Sequence, residues 1–347
     1  MEGSGLLNKD ILLISVKFFN YEVLIKEELE RLGAHVVLLD ERPSNSFMSK
    51  AIIRFKKELM QTKINNYYKS LMERFKDKKF DYFLLIKGEA VPVFFIDFLK
   101  EKNPSIKLFY YTYDSFKNNP NGLKILPFFD RKFTFDSADA KTYNLLFRPL
   151  FFANDYSKVS FPEDANMEYD VAFVGTAHSD RYRISEMTKA WCEKNGLKMF
   201  TFYFSPSKLL FRFNRLTKKE FKAFDESKIS FNSLSHQDII NLYEKSKAIL
   251  DINHPGQNGL TMRTMEVLGS RRKLITTNPN IKQYPFYHPN NIWVLERRDI
   301  KYSKEFFSLR YEEISKEVYH AMSLTGWIEE IFGLESKAIW NQVISEV

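Results

Sequence analysis

The feature that most restricts this chain is an alternation of short apolar runs with amphipathic stretches, which runs its course once and then starts again. Residues 10–16 form a buried-strand run. Residues 21–32 carry apolar side chains at helical spacing and stop at Gly33, and 35–39 form a second strand ending in Asp40. One long amphipathic stretch follows over 46–75, with Ile52, Phe55 and Leu59 at helical spacing. Next come a strand at 82–86, a helix at 94–99, a strand at 107–112 and two short strands at 132–135 and 145–148. Strands that alternate with helices pair in parallel, and the helices cover both faces of the sheet.

Between Phe152 and Glu168 the text turns to Asn, Asp, Ser, Pro and Glu, which reads as a linker over 153–167. The alternation then resumes. Strands are expected at 169–174, 197–204, 229–232, 248–252, 273–276 and 292–295. Helices are expected at 183–194, 207–224 and 261–268, and a further helix opens at Ser235, whose spacing to Asp238 is a capping-box signal. Terminal helices are expected at 302–324 and 327–347. A chain of 347 residues is long for one core and natural for two. The expected division is therefore 1–152, the linker, 168–325, and a helix over 326–347 that packs back toward the first domain.

With 44% hydrophobic and 28% charged residues the chain is globular rather than disordered or fibrous. Its single cysteine, Cys192, excludes a disulfide framework and a cysteine-based zinc site, which fits a reducing cytoplasm. No apolar stretch is long enough to span a bilayer, and the start lacks a signal-peptide pattern. The net charge of +8 calls for an anionic partner. No nucleic-acid motif is present, so an anionic membrane face or an anionic acceptor is the expectation. Residues 208–224 mix Lys and Arg with Leu and Phe. Two readings stand open: a helix lying on an anionic bilayer, or one packing its Phe side on the domain.

The most informative block is 233–277. A buried strand there leads through the polar loop His254-Pro255-Gly256-Gln257-Asn258-Gly259 into a new helix. Ligands of open α/β sheets bind at the carboxyl ends of strands. A Gly-containing loop entering a helix offers free backbone N–H groups and a positive dipole end, which suit a diphosphate. Asn258, Gly259, Leu260 and Thr261 would supply that contact. Glu266, about two turns into the helix, suits two vicinal hydroxyls such as a ribose offers, and Arg263 lies one turn before it on the same side. Gly175, His178, Arg181 and Arg183 follow the first strand of this half, where a guanidinium, Arg181 first, could clamp a diphosphate. Each also has a plain structural role: an ion pair for Glu266 and Arg263, a turn for Gly256 and Gly259, loop packing for His254, a solvated helix start for Arg181.

This block resembles the C-terminal domain of the GT-B glycosyltransferases, closest to the branch of CgeB-like spore-maturation proteins and surface-polysaccharide transferases. The matching residues are Asn253, Arg263-Thr264-Met265-Glu266, Gly269 and Leu274-Ile275-Thr276-Thr277. Tyr169 to Gly175, Tyr113-Asp114 and 133–136 resemble the family's pattern more loosely. The resemblance implies two Rossmann-like domains facing each other across a cleft, with a nucleotide-sugar donor on the second and a glycan or lipid-linked glycan acceptor on the first. With the lone cysteine and the basic charge, the expected enzyme is cytoplasmic and peripheral at the inner face of the plasma membrane. The chain departs from the pattern at Asn258 and Gly259, where many such enzymes carry a second acidic residue. A catalytic base is sought in the first domain, where Glu89 and Asp114 each follow a strand. No D-x-D triplet and no cluster at ligand spacing occurs, so no metal and no cofactor is expected. A non-catalytic nucleotide-binding subunit and a nucleotide-sugar epimerase remain as alternatives.

Overall fold

The computed structural model describes residues 5–46, 57–161, 167–256, 258–334 and 338–345. They form two compact units, Met1–Pro149 with Leu324–Val347, and Leu150–Ser323.

In the first unit six strands, β1 (Asp10–Ser15), β2 (His35–Asp40), β3 (Tyr82–Ile86), β4 (Lys107–Thr112), β5 (Arg131–Thr134) and β6 (Leu146–Phe147), pair in parallel in the order β2-β1-β3-β4-β5-β6. Strands β1, β3 and β4 are nearly continuous apolar runs because both faces of a parallel sheet are covered. Helix α1 (Tyr21–Arg31) joins β1 to β2, and Gly33, at φ 95°, takes the left-handed turn that ends it. Helix α2 (Gln61–Arg74) buries Ile64, Tyr68 and Leu71, spaced by four and three residues on one stripe. The rest of the expected 46–75 stretch lies largely outside the described residues, at 47–56. Helices α3 (Val93–Lys102), α4 (Pro120–Ile125) and α5 (Ser137–Tyr143) complete the crossovers.

The second unit repeats the plan. Its strands are β7 (Tyr169–Thr176), β8 (Met199–Phe204), β9 (Ile229–Ser230), β10 (Ser246–Asp251), β11 (Lys273–Thr276) and β12 (Ile292–Val294), all parallel in the order β12-β11-β10-β7-β8-β9. Its crossover helices are α6 (Arg181–Lys194), α7 (Lys208–Thr217), α8 (His236–Glu244) and α9 (Met262–Gly269). The capping box at Ser235 is formed in both directions with Asp238. At Gly269 a Cβ would come 2.4 Å from the Phe152 ring, so this helix end approaches its neighbour more closely than any side chain allows.

The expected linker, 153–167, falls partly outside the described residues, at 162–166. Its first part is ordered within the second unit. Residues Asn154–Lys158 form a 3-10 turn, and Tyr156 is buried against Tyr243 (ring centroids 5.8 Å) and His236 (5.1 Å). The polar residues around Tyr156 hide this anchor from a reading of composition. The expected helix at 302–324 is two short ones, α10 (Glu305–Ser308) and α11 (Lys316–Met322), because the Ser315 hydroxyl accepts from the Val318 amide and starts a new helix. The expected helix at 327–347 is α12 (Leu324–Phe332) and α13 (Asn341–Ser345), broken at Gly333, φ 71°. Helix α12 belongs to the first unit: Trp327 lies on Tyr111 (4.8 Å), and Phe332 on Tyr82 (5.1 Å) and Phe109 (5.4 Å).

Candidate functional site

In the second sheet the order reverses between β7 and β10, since β7 leads outward to β8 and β10 to β11. At such a switch point the loops after the two strands part and leave room for a ligand. The loop after β7 carries His178 to Asp180 and enters α6. The loop after β10 carries Ile252 to Leu260 and enters α9.

Arg181 joins these two loops. Its Nε donates to the Ile252 carbonyl (2.9 Å) and its Nη1 to the Thr176 carbonyl (3.5 Å), while Nη2 has no partner among the described residues. Burial, and then the neighbouring Arg263, pull its pKa down to about 10, against the opposing pull of Asp251. Arg297, just past β12, fixes the same loops from the other side. It donates to both oxygens of Asp180 (2.8 and 2.9 Å) and to the Asn253 carbonyl and side-chain oxygen (2.5 and 2.6 Å). Asn253 also accepts from the Thr277 hydroxyl at 2.7 Å.

Helix α9 is begun by Thr261, whose hydroxyl accepts from the Thr264 amide (3.2 Å) and donates to Asp251 (2.6 Å). The Thr264 hydroxyl donates to the same carboxylate at 2.9 Å. The loop ahead is held from outside, since Asn278 donates to the carbonyls of Asn258 (3.0 Å) and Gly259 (3.4 Å). These bonds hold the loop's carbonyls and cap the start of α9, where the Thr264 amide is taken by Thr261.

Two histidines complete the rim. The rings of His178 and His254 lie 6.1 Å apart. Burial, then Arg181 and His254, pull His178 down to about 4, so it is neutral at pH 7. His254 is exposed, and its Nδ1 accepts from the Gly256 amide at 3.2 Å.

The structure brings together Arg181, His254, Asn258, Gly259, Leu260, Thr261 and Arg263 around this switch point. Leu260 serves as core, at 2% exposure. Gly175 lies within β7, where a Cβ would meet the Phe173 ring at 2.5 Å, so its identity is accounted for by packing. Arg263 turns inward: Nη1 donates to the Val174 carbonyl. Burial disfavours its charge, but Tyr243, Asp251 and Glu266 raise its pKa overall. Glu266 is 5% exposed within this polar knot.

In the first unit Glu89 and Asp114 share one cation. Lys87 Nζ lies 3.5 Å from each carboxylate, and Arg42 donates to Glu89 Oε2 from Nε (2.7 Å) and Nη2 (2.5 Å). Glu89 is therefore held on both oxygens, while Asp114 is more open, at 25% side-chain exposure. Gly88 (φ 70°) turns the loop that presents Glu89, and a Cβ there would meet Tyr110 and Ile125 at 2.8 Å. Behind them Glu41, at the end of β2, is fully buried. Its Oε1 accepts from the amides of Ala90 and Val91 (3.2 Å for the latter), and its Oε2 has no partner among the described residues. Burial pushes Glu41 up to about 7, with the Ala90 bond working against it and Glu89 adding to it.

No family model matches the chain, and no curated protein does. Solved structures do. An alpha-glucosyltransferase in complex with UDP and a 13-mer DNA superposes with a TM-score of 0.62 at 11% identity, over 94% of this chain and 99% of that one. OtsA in its apo form gives 0.62 at 9% identity, over 93% and 99%. A glycosyltransferase from Rickettsia africae ESF-5 gives 0.53 at 13% identity, over 98% and 96%. The fold is that of the GT-B glycosyltransferases. These likenesses cover nearly the whole chain at identities that speak for architecture alone.

Within this GT-B fold, sequence reasoning missed Arg297, Asp180 and Glu41. A faint signal existed for the first, because Arg297-Arg298 follows a strand-like run at its carboxyl end. Glu41 carried none, since burial of a carboxylate after an Asp is decided by tertiary packing.

Proposed function

We propose that the protein is a glycosyltransferase that moves a sugar from a nucleotide-sugar donor to a surface-glycan acceptor, without a metal ion. The observation that carries this reading is Arg181, fixed between the loops of the β7–β10 switch point beside the start of α9. A diphosphate there meets helix amides and a guanidinium, and its charge offsets the crowding of Arg181, Arg263 and Arg297. Glu266 takes the ribose by the edge of its carboxylate. Between the two carboxylates of the first unit, Asp114 is the base that accepts the acceptor's proton, since Glu89 is held by Arg42 and Lys87. The acceptor class rests on the motif resemblance at Asn253, Arg263 and Glu266 to the surface-polysaccharide branch.

The test is calorimetric titration with nucleoside diphosphates, followed by product analysis with the nucleotide-sugar that binds best. Arg181→Ala is expected to weaken nucleotide binding by about 10- to 100-fold, from the roughly 1.5–3 kcal/mol of a hydrogen bond to a charged group. Release of free nucleoside diphosphate from the donor, undiminished in chelator, supports the reading. Chelator-sensitive turnover rescued by magnesium or manganese refutes its metal-free part. An epimerised donor with its nucleotide still attached replaces transfer with isomerisation.

A further inference from the structure

Helix α7 (Lys208–Thr217) stands on the second unit with its hydrophobic side divided in two. Phe211 is fully buried, where it meets Phe221 (6.0 Å) and Phe224 (6.1 Å), and these three rings anchor the segment. Leu209, Phe213 and Leu216 point the other way, 81%, 61% and 80% exposed. Their spacing, four and then three residues, sets them on one stripe of the helix. No other described segment puts three such exposed apolar side chains on one face. Isolated exposed leucines need no explanation, but a contiguous stripe of this kind marks a contact surface.

The charge around the stripe selects the partner. Residues 208–219 hold Lys208, Arg212, Arg215, Lys218 and Lys219 and no Asp or Glu. Arg212 and Arg215 are tied to Glu226 at 2.9 and 3.1 Å, which keeps them along one flank. Lys208, Lys218, Lys219 and Lys222 are exposed. A second copy of the chain docking on the same face would set these cations against their own copies, since a two-fold contact pairs a patch with itself. An apolar stripe edged by long cationic side chains instead matches a bilayer, with the rings and leucines below the headgroups and the lysines reaching back to phosphate.

We infer that the exposed face of α7 docks the protein on an anionic lipid surface. The inference is independent of the donor site and stands whether or not the proposed transfer is right. Co-sedimentation with phosphatidylcholine vesicles, with and without phosphatidylglycerol, tests it. The wild-type chain is expected to bind only the mixed vesicles and to leave them as salt rises. L209S/F213S/L216S is expected to lower partitioning by about tenfold or more, with its melting temperature unchanged because the three side chains are exposed. K208Q/K218Q/K219Q is expected to weaken binding and flatten its salt dependence. Phe213→Trp is expected to shift its emission to the blue on mixed vesicles. The inference is overturned by equal binding to both kinds of vesicle, by no binding, or by a wild-type dimer that the triple serine variant dissolves.

Discussion

The two units share a plan, six parallel strands with loops at the carboxyl edge, yet they gather opposite charges there. The second unit gathers guanidinium groups: Arg181, Arg263 and Arg297, each held by carbonyls or carboxylates, beside a histidine kept neutral. The first gathers carboxylates: Glu41, Glu89 and Asp114 around Lys87 and Arg42, with Glu41 pushed up to about 7. The sheet decides where loops converge, and the side chains decide what the convergence attracts. An edge lined by half-buried cations suits an anion, while one with a proton-holding carboxyl suits proton exchange.

That contrast breaks first where the first unit depends on its last helix. Trp327 is fully buried against Tyr111, so Trp327→Ala is expected to cost about 3–5 kcal/mol of stability. Calorimetry should show the loss in the first unit, with nucleotide affinity of the second retained. Equal collapse of both would show that they do not unfold separately.

The next largest effect concerns Glu41. Its folded pKa lies above its ordinary value of 4.5, so the folded state holds more protons than the unfolded one between about 4.5 and about 7. Stability is therefore fullest below that window and falls as pH rises through it. Over that interval the charged form costs about 3 kcal/mol, at about 1.4 kcal/mol for each tenfold change. Glu41→Gln removes this titration and should raise the melting temperature at pH 8 more than at pH 4.5. The same gain at both values would refute a buried, titrating carboxyl.

Glu266 gives a smaller effect. Glu266→Ala is expected to weaken nucleotide affinity about tenfold and Glu266→Gln less. Unchanged affinity in the folded variants would leave Glu266 only its pairing in the Arg263 and Tyr243 knot. The smallest effect is at His178, whose depressed pKa of about 4 contributes stability present above about 6.5 and lost as pH falls through 4. A bound diphosphate should raise that pKa, which NMR titration with and without nucleotide reads directly.

The strands, their order of appearance and the second-unit loops were legible in the sequence, because apolar period and the Ser235 capping box are local signals. What was not legible came from packing at a distance. Arg297 reaches Asp180 and Asn253 across more than forty residues of chain, and Tyr156 anchors a stretch whose composition reads as linker. Gly333 ends α12 within a stretch where apolar spacing alone continues a helix.

The return of α12 to the first unit has a consequence for synthesis. The strands of that unit leave the ribosome before the second unit, yet the surface that covers Tyr111 and Phe109 is made only after the whole of it. Arg148, fully buried and paired to Glu330 at 2.7 Å, has no partner carboxylate of that helix until residue 330 emerges. The second unit lies wholly between, in Leu150–Ser323, and can close while the first still waits. Domains made first ordinarily fold first, but in this chain the order of completion runs inside out. A nascent chain stalled short of residue 324 would expose an apolar sheet face, the kind of surface on which chaperones act.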